Sequence, residues 1–407
     1  MPINILYLCS GRGFKSKSLP RKIAKVIESF KKTGNNVFVI SGDDIYNTKD
    51  HKIFDKNNRR RYNKVVFLSK NIFSIVFHSI SEIRDIIHDN YLFSYLDNFV
   101  CKNNIDLIWE RSSRLHRAGI KISKKYKIPY VLEWKDHLID YKISLFKNRA
   151  LKIEKMKEEE SSFIVVESKV LKDIFQKKNK VQNRIYVAYN AVDIYEFKPD
   201  PKMRKEMRKK LEIKDDDIII GYAGSYAFYH DSVRMILAIK SIVDKGIRNI
   251  KLYAYGYGKD YKKCRRLAEE NELLNKYVFM CPPVQEEVMP LVMSSFDIGL
   301  LPGSTNIICP IKIFEYMATG LPVILPNYDC NKEIVTDYEE GLSFIPYNED
   351  DLAEKILLVA HNYELRKFMG NRAREKVLNN FTWEKTWGNT LEDIIKKLMI
   401  YENKNNI

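Results

Sequence analysis

A strand, a glycine-bearing turn, a helix and a second strand follow one another at the start of this chain, and that order admits few folds. Asn4–Leu8 is a short apolar run ending in Ser10-Gly11-Arg12-Gly13. Leu19–Thr33 carries Ile23, Val26, Ile27 and Phe30 at helical spacing, with Gly34 as a stop. Asn36–Ser41 (NVFVIS) is the second strand and runs into Gly42-Asp43-Asp44. Such a βαβ unit requires parallel strands with the helix crossing over one face of the sheet. Asp106–Glu110 (DLIWE), Tyr130–Glu133 (YVLE), Phe163–Glu167 (FIVVE) and Arg184–Ala188 read as further strands, and Glu154–Ser161 as a helix. Residues 50–100 are less regular. They hold a basic cluster (Lys56, Arg59, Arg60, Arg61, Lys64), a VVFLS strand, and an apolar, aromatic segment from Ile72 to Leu96.

Residues 198–217 are highly charged and punctuated by proline, which reads as a linker. A second series follows: IIIGYA at 218–223 leading into Gly224-Ser225, a helix over Val233–Lys245, and strands at Ile250–Gly256, Tyr277–Met280, Phe296–Leu301 and Pro322–Leu325. The last segment, from Glu384 to Tyr401, is helical. The expected fold class is therefore α/β, with two doubly wound domains facing one cleft and ligands at the carboxyl ends of the strands. The expected division is residues 1–195 for the first domain and 196–383 for the second, with 384–407 packing back on the first.

Composition narrows the classes. Hydrophobic residues at 45% and charged residues at 30% are globular values, which excludes a mainly disordered chain. No apolar run approaches the ~20 residues that span a bilayer. MPINILYLCSG has no basic leader, so a signal peptide is not expected. The six cysteines show no C-x-x-C pairing, so neither a zinc site nor a disulfide framework is expected, and a reducing, cytoplasmic setting fits. The net charge of +16 is one-sided: residues 1–200 hold 39 basic and 23 acidic side chains, and residues 201–407 hold 30 of each. Two readings stay open: a solvated basic surface, or a domain that faces something anionic such as a membrane surface or a phospholipid-linked substrate. Nucleic acid is not expected as a partner, because no nucleic-acid module is visible.

Two segments carry chemistry. Gly11 and Gly13, with Asp43 and Asp44 after the second strand, have part of a dinucleotide fingerprint; the third glycine is absent, and a tight turn without ligand explains the same residues. The other is Pro310-Ile-Lys312-Ile-Phe-Glu315-Tyr-Met-Ala-Thr-Gly320-Leu-Pro-Val-Ile. Pro310 suits a helix start, Gly320 suits its end, and Lys312 and Glu315 lie three apart near one face. A helix N-terminus beside a lysine suits a diphosphate, and Glu315 suits a ribose diol. A capped helix with a surface ion pair has the same spacing.

The string IKIFEYMATGLPVI resembles the signature helix of glycosyltransferase family 4. Other segments agree in order: NILYLCSGRG, WERSSRLHRAG, IPYVLEWKD, VAYNAVDIYEFKP, GYAGSYAFYHDSV, DIGLLP, NKEIV, EGLSF and FTWEKTW. The resemblance spans nearly the whole chain. It implies the GT-B fold of two Rossmann-like domains, and a retaining enzyme of hexosyltransferase type. The implied reaction moves a sugar from a nucleotide-sugar, such as a UDP- or GDP-sugar, to a glycan or lipid-linked acceptor in surface polysaccharide or glycolipid biosynthesis. It implies no cofactor and no metal. Donor-binding residues implied by the match are Gly11, Gly13, Gly224, Ser225, His230, Lys312, Ile313 and Glu315. Acceptor-binding residues are Arg111, Glu133 and Lys135, and the catalytic set is Lys312, Glu315, Asp136 and His137. Departures exist. Ile307 stands where many members have the first Glu of an E-x7-E pair, and Ser225 and His230 occupy the neighbourhood of a family Arg and Lys. A nucleotide-sugar epimerase, a non-catalytic glycan-binding relative and an NAD-dependent dehydrogenase remain as alternatives. Taken with the basic first half, the acceptor domain is expected to work at an anionic membrane, with the protein peripheral on its cytoplasmic face.

Overall fold

Every strand of the first sheet runs parallel, so each connection must cross a face and bring a helix or loop with it. The structure, a computed structural model, describes residues 2–15, 19–46, 72–134, 144–179 and 184–405. The chain divides into two units, one of Met1–Val166, Ile174–Ala188 and Trp387–Ile407, the other of Glu167–Asp173 and Tyr189–Thr386.

In the first unit β1 (Asn4–Cys9), β2 (Asn36–Ser41), β3 (Leu107–Arg111), β4 (Tyr130–Glu133), β5 (Phe163–Val166) and β6 (Ile185–Val187) form one sheet in the order β2-β1-β3-β4-β5-β6. The direction of winding reverses between β1 and β3, and the turn holding Gly11 and Gly13 leaves the carboxyl end of β1 there. β1 is apolar and buried on both faces, as a central parallel strand must be. The final helix, Asn389–Asn405, belongs to this unit; the Trp387 ring sits 6.4 Å from that of Trp109, and Ile394 is buried.

The second unit repeats the plan. β7 (Ile218–Ala223), β8 (Ile250–Tyr255), β9 (Val278–Cys281), β10 (Ile298–Leu300), β11 (Val323–Pro326) and β12 (Gly341–Phe344) lie parallel in the order β12-β11-β10-β7-β8-β9. Alternation along β7 splits its side chains between two cores. Ile219 and Ala223 pack with Phe296, Phe314 and Tyr316, whereas Ile220 and Tyr222 pack with Ile236, Ile239 and Leu252. The strand order reverses between β7 and β10, which fixes where loops converge.

Two segments differ from the sequence expectation. The charged stretch expected as a linker holds a helix, Pro201–Lys210, built into the second unit. Asp200 caps it by accepting the Met203 amide at 2.9 Å, and Arg204 and Arg208 converge on Asp297 at 2.6 and 3.1 Å. Arg204 and Arg208 are therefore used inside the fold, whereas Lys202, Lys205, Glu206, Lys209 and Lys210 are exposed. The irregular aromatic segment is part of one helix, Ile72–Lys102. Its periodicity is masked because polar side chains on it are buried (Ser79, Glu82, His88, Asp89) while Ile80, Ile83 and Ile87 are exposed. The basic cluster at 56–64 and the VVFLS strand lie outside the described residues.

Candidate functional site

In the second unit, the turns after β7 and β8 interlock through glycine. Gly256 has φ of +144°, and a Cβ there would stand 1.9 Å from the Gly224 carbonyl oxygen. The Gly224 amide donates to the Tyr255 carbonyl at 2.9 Å. A Cβ on Gly224 itself would stand 2.1 Å from Lys312 Nζ, so the bare backbone is what gives the lysine its place.

Lys312 comes from the helix Ile311–Ala318. Pro310 precedes the first helical residue in an extended conformation (φ −67°, ψ 148°), so it enters the helix without a missing N–H being felt. Asn190 Nδ2 donates to the Cys309 carbonyl at 2.9 Å and ties the turn ahead of the helix. The Tyr316 hydroxyl accepts the Ala223 amide at 2.8 Å, fastening the helix to the end of β7. Ile313, Phe314, Tyr316 and Met317 are buried in the core. Gly320, with φ of +79°, closes the helix after Thr319.

The electrostatics centre on Lys312. Part of its stem reaches solvent, but Nζ is buried with no hydrogen-bond partner among the described residues. It lies 4.7 Å from the centroid of the Tyr222 ring, a cation–π contact. Burial pulls its pKa down to about 7, and Glu315 one turn along opposes that shift. His230 Nδ1 lies 3.2 Å from the Gly303 carbonyl, which fixes Nδ1 as the donor and Nε2 as the acceptor. Burial, with the Lys312 charge adding to it, lowers the His230 pKa to about 4, so the ring is neutral near pH 7. The Tyr222 hydroxyl donates to the Ser225 carbonyl at 2.6 Å. The result is a buried amino group with no hydrogen-bond acceptor among the described residues, at the first turn of a helix whose amides add positive potential. Such an arrangement holds a phosphate or carboxylate.

Of the residues expected at the donor site, Gly224, His230, Lys312 and Glu315 are brought together here. The side chain of Ser225 is exposed and its carbonyl serves Tyr222. Ile313 is in the core, and its amide donates to the Pro310 carbonyl at 3.1 Å.

Gly11 and Gly13 belong to the first unit. Their turn closes with the Phe14 amide on the Gly11 carbonyl at 3.0 Å. Arg12 between them pairs with Asp85 at 2.5 Å and Ser81 Oγ at 3.1 Å. Asp44 accepts the Ser41 amide at 2.6 Å. Where the sequence suggested acceptor contacts at Arg111 and Glu133, the structure shows a buried pair. Arg111 Nη1 donates to Glu133 Oε1, and Oε2 accepts Tyr7 at 2.7 Å and Trp109 Nε1 at 3.2 Å. The register sets Arg111 beside Glu133 on adjacent strands, which is why they meet. Lys135, Asp136 and His137 lie outside the described residues.

The first unit also holds polar groups that sequence reasoning missed. Glu110 is buried and accepts Lys157 Nζ and Ser10 Oγ at 2.8 Å each and the Tyr130 hydroxyl at 2.7 Å. The Ile72–Lys102 helix supplies the rest. Glu82 accepts Arg114 and Ser144, both at 2.6 Å. Asp89 accepts the amides of Arg117 and Ala118 at 2.8 Å, capping the next helix. His88 lies between the Gly42 carbonyl at 3.0 Å and His116 Nε2 at 3.1 Å. Spacing of 3, 4 and 7 along the helix was the available signal, but it was polar where apolar residues were sought. Among the described residues, no three His, Cys, Asp or Glu side chains converge as metal ligands, and no helix is long and apolar enough to cross a membrane.

The helix that carries Lys312 and the glycine turn it packs against both lie within the stretch that matches a known family. Residues 203–376 match the family of glycosyl transferases group 1. This group 1 segment covers most of the second unit, including the Ile311–Ala318 helix. An uncharacterized glycosyltransferase of Methanocaldococcus jannaschii is 24% identical over 233 residues, 55% of this chain and 57% of that protein. The capsular polysaccharide biosynthesis glycosyltransferase CapM of Staphylococcus aureus is 24% identical over 54% of this chain and 56% of its own length. The chain thus aligns with little more than half the length of these curated relatives. The structure of the Anabaena protein HepE in complex with UDP and glucose superposes with a TM-score of 0.68 and 15% identity, covering 97% of this chain and 100% of that one. The fold that the two parallel six-stranded sheets share with such structures is GT-B.

Proposed function

We propose that the protein transfers a sugar, with retention, from a nucleotide-sugar to a glycan or lipid-linked acceptor in surface polysaccharide or glycolipid biosynthesis. The observation that carries the reading is the unpaired, buried Nζ of Lys312 at the first turn of the Ile311–Ala318 helix, inside the group 1 segment. When the sugar's C1–O bond breaks, the departing nucleoside diphosphate gains charge. Lys312, the helix amides and the Gly224 turn supply positive potential without needing to reorganise. Glu315 accepts hydrogen bonds from the nucleotide ribose. His230, neutral and fixed by Gly303, offers Nε2 to a donor hydroxyl. No metal takes part in this scheme. UDP in the HepE complex supports a nucleoside diphosphate as the ligand class.

The acceptor belongs to the first unit in this reading, because that half of the chain carries the whole charge excess. An acceptor attached to an anionic membrane fits, with the protein peripheral on the cytoplasmic face; salt-sensitive flotation with anionic but not neutral vesicles tests this part. A thermal-shift and calorimetry panel of UDP, GDP, ADP and NAD tests the main reading. A nucleoside diphosphate raises the melting temperature if it is right. Stabilisation by NAD alone favours a dehydrogenase, and mass spectrometry of the products separates transfer from epimerisation.

A further inference from the structure

The amino group of Lys312 is held without any hydrogen-bond acceptor among the described residues. Its neighbours are the Tyr222 face, the space left by Gly224, and a neutral His230. The titratable groups that face it are Tyr222 from β7, His230 from the turn ahead of the next helix, and Glu315 on its own helix. Of these, Glu315 is the one carboxyl group; it favours the charged amine but does not reach Nζ as a hydrogen-bond partner. Resting on the nucleotide reading, we propose that the empty site holds Lys312 as a neutral amine and that a nucleoside diphosphate enters together with one proton, which is released again when the nucleotide leaves.

The physical argument is linkage. A buried charge with no hydrogen-bond acceptor is unfavourable, and burial outweighs the opposing pull of Glu315, so the site without nucleotide favours loss of the proton. A nucleoside diphosphate, with about three negative charges once its terminal phosphate is ionised, favours the ammonium. Whichever ligand prefers the charged form must draw a proton in with it. Burial lowers the free amine's midpoint to about 7 from the ordinary 10.5. At pH 8 roughly nine in ten free sites are then neutral, whereas the nucleotide's own phosphate is already ionised, so uptake belongs to the protein. The same coupling makes product release easier as pH rises.

Calorimetry of UDP and GDP at pH 8, in buffers of different ionisation heat, reads the protons taken up per nucleotide. The expected value is ~0.8–0.9 for the wild type and near zero for Lys312→Arg, whose guanidinium stays charged. A second measurement is independent of that variant's folding: the ¹³Cε shift of Lys312 in lysine-labelled protein, assigned with Lys312→Met. Its midpoint should lie near 7 without nucleotide and move up by two units or more with UDP. A free midpoint near 10.5, or one that UDP leaves in place, overturns the linkage while nucleotide binding stands. Failure of every nucleotide to bind overturns the nucleotide reading itself and this inference with it.

Discussion

Lys312 Nζ and Gly224 occupy what would be a single space, since a Cβ on residue 224 would stand 2.1 Å from the nitrogen. The glycine is thus part of the lysine's environment, and the two residues act as one unit although they lie on different elements. Asn190 plays a comparable part further back by holding the Cys309 carbonyl.

Gly224→Ala should push the ammonium off its place over Tyr222. The expected result is a fall of about tenfold in UDP affinity, ~1.4 kcal/mol, with an unchanged circular dichroism spectrum. Unchanged affinity would mean that the lysine's position does not matter for nucleotide.

Lys312→Ala and Glu315→Ala should each lower kcat/KM while the protein stays folded. Loss of a charge-assisted hydrogen bond to diphosphate or ribose costs about 1.5–3 kcal/mol, or roughly 10- to 150-fold. Near-wild-type turnover in both variants would remove this helix from the reaction.

Lys157→Met should act on stability. Glu110 is fully buried and would keep Ser10 and Tyr130 but lose its cation. Breaking a buried pair from one side costs about 3–5 kcal/mol, read as a shift in the urea midpoint, and Glu110→Gln in the same chain should recover part of it. A lone Lys157→Met as stable as wild type would show that the pair is not a structural element.

Acidification should destabilise the fold before its carboxylates titrate. Burial lowers the pKa of His88, His116 and His230 to about 4. Between the usual value of 6.5 and about 4 the unfolded chain binds protons that the native rings refuse, so the rings' contribution to stability is complete above pH 6.5 and is lost as pH drops through that window. Each ring contributes up to about 1.4 kcal/mol per pH unit. Urea midpoints at pH 7.5, 6 and 5 should decline in order, and a flat profile would contradict the burial of these rings.

Sugar transfer should persist in excess chelator, because Lys312 and helix amides are placed to hold the leaving diphosphate. Complete loss that manganese or magnesium restores would overturn that part of the scheme.

The doubly wound plan was legible because parallel strands buried on both faces read as apolar runs between glycine turns, as in β1 and β7. The Ile311–Ala318 helix was legible, with Lys312 and Glu315 on it, because proline and glycine bracket it at the expected offsets; that Gly224 packs against Lys312 was not, since the two lie about ninety positions apart. The Pro201–Lys210 helix was not, because its arginines find their common partner, Asp297, about ninety positions away. Nor was the Arg111–Glu133 pair, whose meeting depends on the register of β3 and β4. Local pattern carries no information about such long-range pairing of polar groups.

The Ile72–Lys102 helix holds three separate turns of the first unit at once: Arg12 through Ser81 and Asp85, the 114–118 segment through Glu82 and Asp89, and Gly42 through His88. Adding or deleting one residue between Ser81 and Asp89 would rotate half of those anchors by about 100°. The spacing of these anchors is therefore what the helix supplies to the first unit: a one-residue insertion between them would unseat several turns together, whereas one placed in a single surrounding turn would disturb that turn alone.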